Sequence, residues 1–68
     1  MSVTNTYTVT GMTCGHCVSS VTEELTGVEG VTGVDVRLDS GAVTVTSTRE
    51  LSRDEVEAAV AEAGYQLA

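Results

Sequence analysis

A two-layer α+β fold in the order β-α-β-β-α-β follows from three features of this sequence. Apolar and polar residues alternate, at the period of a half-buried strand, near the start and twice in the middle. Apolar residues at helical spacing fill two intervals between those stretches, and glycines or a serine cap fall at the joints.

From Val3 to Thr10 the chain alternates, with Tyr7 and Val9 on one face and Thr6, Thr8 and Thr10 on the other, in residue types that favour strands. Gly11 breaks this first strand, and Met12 is the apolar residue of an otherwise polar loop. Val18, Val21 and Leu25 then recur at helical spacing, predicting a helix that runs to about Thr26, with Gly27 and Gly30 marking its end and the connection. Val31 to Leu38 alternates again, which directs Val34, Val36 and Leu38 inward and Asp35 and Arg37 outward. Asp39-Ser40-Gly41 supplies a turn, and Ala42 to Thr48 returns with Val43 and Val45 inward, so the two stretches form a hairpin. Ser52-Arg53-Asp54-Glu55 reads as a capping box opening a second helix, whose apolar positions are Val56, Ala59, Val60 and Ala63. Gly64 suits the position just past its end, and Tyr65-Gln66-Leu67-Ala68 is left as a short last strand. Right-handed crossovers then place both helices on one face of a four-stranded antiparallel sheet, the ferredoxin-like arrangement.

With 68 residues the chain has room for one small domain, residues 1–68, and no repeat, linker or low-complexity tract divides it. Only two residues are aromatic, so the core is built chiefly from Val, Leu, Ala and Met. Three arginines, no lysine and ten acidic residues give a formal charge of −7, which argues against binding nucleic acid or anionic lipid. A docking partner should offer basic or neutral surface. Met1-Ser2-Val3-Thr4-Asn5 lacks the basic start and apolar run of a signal peptide, and no apolar stretch approaches a membrane span. The expected setting is reduced and cytoplasmic, without membrane insertion.

The chemistry concentrates in Gly11-Met12-Thr13-Cys14-Gly15-His16-Cys17. Cys14 and Cys17 stand at the spacing that lets two sulfurs converge when the second opens a helix, where unsatisfied N–H groups and the helix dipole favour a thiolate. In a reduced compartment such a pair is metal-binding or catalytic rather than structural, and the loop it closes is too short to constrain an unfolded chain much. Soft thiolates select Cu(I), Zn(II) or iron–sulfur clusters. Structural zinc takes four protein ligands, catalytic zinc three, and iron–sulfur clusters usually four cysteines. Two thiolates satisfy Cu(I) in near-linear coordination.

GMTCGHC after the strand Tyr7-Thr8-Val9-Thr10 and before an amphipathic helix resembles the heavy-metal-associated domain of copper chaperones and copper-transporting P-type ATPases. The resemblance runs through Gly64-Tyr65, and the chain resembles the bacterial type of chaperone. It implies a carrier rather than an enzyme: Cu(I) held by Cys14 and Cys17 and passed by ligand exchange to a copper-transporting P-type ATPase or its metal-binding domain. It also implies a monomer, with a metal-bridged dimer as a further state. The alternatives are a metal-binding domain of the ATPase itself, a mercury or zinc carrier, and a thiol redox enzyme. The last is disfavoured because thioredoxin-like enzymes face their cysteines with a cis-proline, and this chain has no proline.

Around the pair, His16 falls between the two ligands and is expected to point into solvent, and Met12 to pack beneath the loop. Thr13 is uncharged where zinc-specialised relatives of this family tend to carry a carboxylate. Tyr65 is either a residue that tunes the site or a core anchor with a wet hydroxyl. Glu23 and Glu24, about two turns along the helix, either steer a basic partner or form a solvated face. The loop itself is expected to lie outside the core, leaving the thiols open to exchange.

Overall fold

The computed structural model describes residues 2–13 and 15–68. Its elements are β1 (Val3–Thr10), α1 (Gly15–Thr26), β2 (Val31–Arg37), β3 (Ala42–Ser47), α2 (Arg53–Glu62) and β4 (Gln66–Leu67). The four strands form one antiparallel sheet in the order β2-β3-β1-β4, the ferredoxin-like topology that the sequence pattern predicts. No helix among the described residues is long and apolar enough to cross a membrane.

Alternation in the strands and the helical period meet in a single core. Val9 from β1, Val43 and Val45 from β3, Val21 and Leu25 from α1, and Val56, Ala59 and Val60 from α2 are buried together with Leu51. Tyr7, Met12, Val34, Val36, Ala63 and Tyr65 pack around them, half-buried. With no Phe or Trp, the core rests on many small aliphatic contacts, each side chain contributing about 1.5–3 kcal/mol when fully covered.

The expected inward position of Leu38 is not observed. β2 ends at Arg37, and Leu38, 38% exposed, begins the turn into β3. The alternating pattern runs one residue beyond the strand because periodicity carries no signal for where pairing stops. Gly41 closes this turn at a φ of 75°, its N–H donating to the Arg37 carbonyl at 2.8 Å. Its own carbonyl accepts from Val9 N at 2.8 Å, and an added Cβ would lie 2.6 Å from the Val9 oxygen. Glycine is therefore required by close approach as well as by conformation. β2 also carries an irregularity between Val31 and Gly33 that the sequence pattern does not announce.

Both ends of α2 are fixed by the residues read from sequence. Ser52 Oγ accepts from Glu55 N at 3.2 Å while the Glu55 carboxylate accepts from Ser52 N at 2.9 Å, a complete capping box. At the far end Gly64, at φ 93°, lets Tyr65 N reach the Val60 carbonyl and Gly64 N the Ala61 carbonyl, a Schellman closure. The capping carboxylate has a second partner. Arg49 donates to it through both terminal nitrogens, at 2.7 and 3.2 Å, tying the segment after β3 to the start of α2. Hydrogen bonds from Arg49 first, then from the Ser52 backbone, hold the Glu55 carboxyl down from 4.5 to about 2.

Two outcomes follow. Ser52→Ala should destabilise the fold by about 1 kcal/mol in urea titrations. Because the Glu55 pKa is depressed on folding, its contribution is complete above pH 4.5 and is lost as the pH falls towards 2. The melting-temperature gap between wild type and Glu55→Gln should therefore narrow across that window. A gap that stays constant through it would separate the clasp from acid stability.

Candidate metal centre

β1 sits inside the sheet, paired with β3 from Val3 to Thr8 and with β4 at Val9 and Thr10, so the point at which the chain leaves it is fixed from both sides. Gly11 turns out of the strand at a φ of 90°, and a Cβ built there would lie 3.4 Å from Cδ1 of Tyr65. The loop thus starts flush against the Tyr65 ring. Met12 is half-buried against the core, as its apolar character predicts, and Thr13 is exposed.

α1 begins at Gly15, which puts His16 and Cys17 in its first turn. His16 is exposed. Cys17 is buried, with 6% of its surface exposed, and heads the helical stripe Cys17, Val21, Leu25. This corrects the expectation that the whole loop region lies outside the core. Spacings of four residues place the thiol on the same face as Val21 and Leu25, so the packing that covers those two also covers Cys17. It nonetheless stands outside the contiguous aliphatic cluster. Cys14, the other predicted ligand, lies outside the described residues. Among the described residues, no three His, Cys, Asp or Glu side chains group as a metal site.

Tyr65 is half-buried and packs against the core, as the core-anchor reading expects, and its ring borders Gly11. The Gly11–Tyr65 contact is the part of the site that sequence reasoning missed. Its only signals are a glycine directly after a strand and an aromatic three residues past a helix, and neither reports that they meet. Glu23 and Glu24 lie elsewhere than the loop. They line a groove of about 560 Å³ between α1 and α2 with Glu29, Glu55 and Glu62.

The heavy-metal-associated domain family matches residues 6–66. The chain belongs to that family. Over 60 residues it is 37% identical to the copper chaperone CopZ of Staphylococcus aureus, covering 87% of this chain and 88% of that one. Among solved structures it superposes on a CopZ metallochaperone with a TM-score of 0.89 at 33% identity, covering 97% of this chain and all of the other. A copper-binding domain from HMA7, a P-type ATPase, superposes with a TM-score of 0.87 at 28% identity, covering all of this chain and 92% of that domain. The similarity spans β1, the cysteine loop and both helices, so this heavy-metal-associated domain shares the whole frame of those proteins rather than an isolated motif.

The geometry at Gly11 yields a test that needs no metal. At 3.4 Å the added Cβ would make ordinary contact with the ring, so the cost of Gly11→Ala comes from the positive φ, about 1–3 kcal/mol. Tyr65→Ala should add its own cost without recovering any of that loss. Recovery of stability in the double variant would mean that the ring, not the backbone, demands glycine.

Proposed function

We propose that this heavy-metal-associated domain, acting as one unit over residues 1–68, is a copper carrier that binds Cu(I) between the thiolates of Cys14 and Cys17. The observation that carries the reading is the position of Cys17 in the first turn of α1, within a strand–loop–helix frame shared with copper chaperones. A thiolate there faces the unsatisfied N–H groups and positive dipole of the helix start. Two thiolates and one Cu(I) leave a single negative charge, which those groups partly offset. Cu(I) rather than Zn(II) follows from the donor set, since zinc takes three or four protein ligands and Thr13 adds no carboxylate.

Transfer proceeds by ligand exchange. An incoming thiolate of the acceptor forms a new Cu–S bond, one Cu–S bond to this chain breaks, and a second exchange completes the handover. Copper stays Cu(I) throughout, and each protein sulfur that leaves the metal is free to take a proton. The proposed acceptor is a copper-transporting P-type ATPase, through a domain of the same fold. The setting is the cytoplasm, and no substrate is turned over. Gly11 and Tyr65 hold the loop that must yield during the exchange.

Cys14→Ser and Cys17→Ser should each abolish tight Cu(I) binding in competition with a Cu(I) chelator, because one thiolate leaves the ion a single strong ligand. Wild-type affinity in either variant would sink the two-thiolate site. Cys17→Ser also places a hydroxyl at a buried position, which should cost about 1–3 kcal/mol of stability where the hydroxyl finds no partner. Tyr65→Phe should release copper to the chelator at the wild-type rate and Tyr65→Ala faster, whereas equal rates in all three would remove the ring from the site.

A further inference from the structure

We propose that the outer edge of β2 pairs antiparallel with the same edge of a second copy of this chain, about a two-fold axis at Val36 that sets Asp35 of each copy opposite Arg37 of the other. β2 is the terminal strand of the sheet, bound to β3 on one side, and among the described residues no strand pairs with its other side. The chain enters it through a turn in which Val31 N donates to the Val28 carbonyl at 3.1 Å and leaves it through the turn that Gly41 closes. Its place and its register are therefore set by residues inside the chain.

Successive residues of a strand direct their N–H and C=O groups to opposite sides. The Arg37 carbonyl accepts from Gly41 N across the hairpin, so Arg37 and Asp35 are committed to β3 while Val34 and Val36 direct their backbone groups outward. Side chains alternate between the faces. Asp35 and Arg37 stand on the face away from the helices, exposed, with Arg37 Nε donating to the Asp35 carboxylate at 3.3 Å. Val34 and Val36 stand on the helix side and are only half-buried. Leu38 continues that apolar row past the last paired residue and is left 38% exposed. One copy of the chain does not finish covering the row.

The charges select the occupant and the register. Charged side chains on an edge commonly discourage pairing, but here the two are opposite in sign and two residues apart, which makes the strand complementary to itself. Directly opposed residues share a face, so the axis falls at a residue. An axis at Asp35 would set two carboxylates against each other, and one at Val34 would carry the pairing into the irregularity between Val31 and Gly33. An axis at Val36 forms the Asp35–Arg37 pair twice, at the positions without backbone hydrogen bonds where opposed side chains approach most closely. It also lays Val36 against its own copy and sets Leu38 opposite Val34. The neighbouring carboxylates stay clear of this contact. Asp39 accepts from Ser40 N at 2.9 Å within the turn, beyond the paired stretch, and Glu23, Glu24 and Glu29 line the groove against α2. The opposite flank of α1, at Val18 and Thr22, is uncharged and half-buried. Two copies of a chain with a formal charge of −7 thus meet where its charge is balanced.

The test uses reduced, chelator-treated protein, so that no metal bridges the copies. Sedimentation equilibrium should show a monomer–dimer equilibrium that approaches the dimer at millimolar concentration, and amide exchange at Val34 and Val36 should slow with concentration while that at Asp35 and Arg37 does not change. Asp35→Arg and Arg37→Asp each set like charges across the axis and should lose the dimer, and an equimolar mixture of the two should restore it as a heterodimer. Carrying both substitutions in one chain reverses each pair and should restore the homodimer. A wild-type chain that stays monomeric, concentration-independent exchange at Val34 and Val36, or an Asp35→Arg variant that dimerises like wild type would overturn the proposal. The exchange measurement needs no variant, so misfolding of any substitution leaves the test intact.

Discussion

The packing of one stripe of α1 onto the sheet is the constraint on which the site depends. Val21 and Leu25 have no exposed surface, and they fix how α1 is rotated about its axis. Cys17 lies one turn earlier on the same stripe, so the aliphatic core sets where its sulfur stands. β1 supplies the other anchor, held in the sheet interior by β3 and β4 up to the residue before Gly11. Between these two anchors the chain has few residues in which to turn, and a positive φ at Gly11 beside the Tyr65 ring is how it starts. A loop held in this way can be short, because the strand and the helix fix its two ends.

The groove between α1 and α2 gathers Glu23, Glu24, Glu29, Glu55 and Glu62. Glu24 lies about 10 Å along the axis from Cys17 at 1.5 Å per residue, beyond a Debye length of about 8 Å at physiological salt. Glu24 therefore acts on Cys17 only weakly through water. The three arginines pair with Asp35, Glu55 and Glu57, and the Glu55 pair serves the capping of α2.

Much of this was legible in the residues themselves. The capping box at Ser52, the closing Gly64 and the valine alternation of β3 each have a local physical cause, and each stands in the fold where the sequence sets it. What was not legible depends on partners distant in the chain. Leu38 obeys the inward phase of β2 but falls after its last paired residue, and pairing is a property of two strands. The contact of Gly11 with Tyr65 joins residues from opposite ends of the sequence. Cys17 was read correctly as a first-turn residue, yet its burial follows from the rotation of the whole helix, which only the packed core decides.

The central claim is that two sulfurs of this chain complete the coordination of one Cu(I). X-ray absorption on the reduced protein loaded anaerobically with one equivalent of Cu(I), with Zn(II) present as competitor, tests it most directly. The account predicts a Cu(I) edge with two sulfur scatterers, no nitrogen scatterer from His16, and zinc left in solution. A first shell containing imidazole, or zinc retained in place of copper, would contradict it.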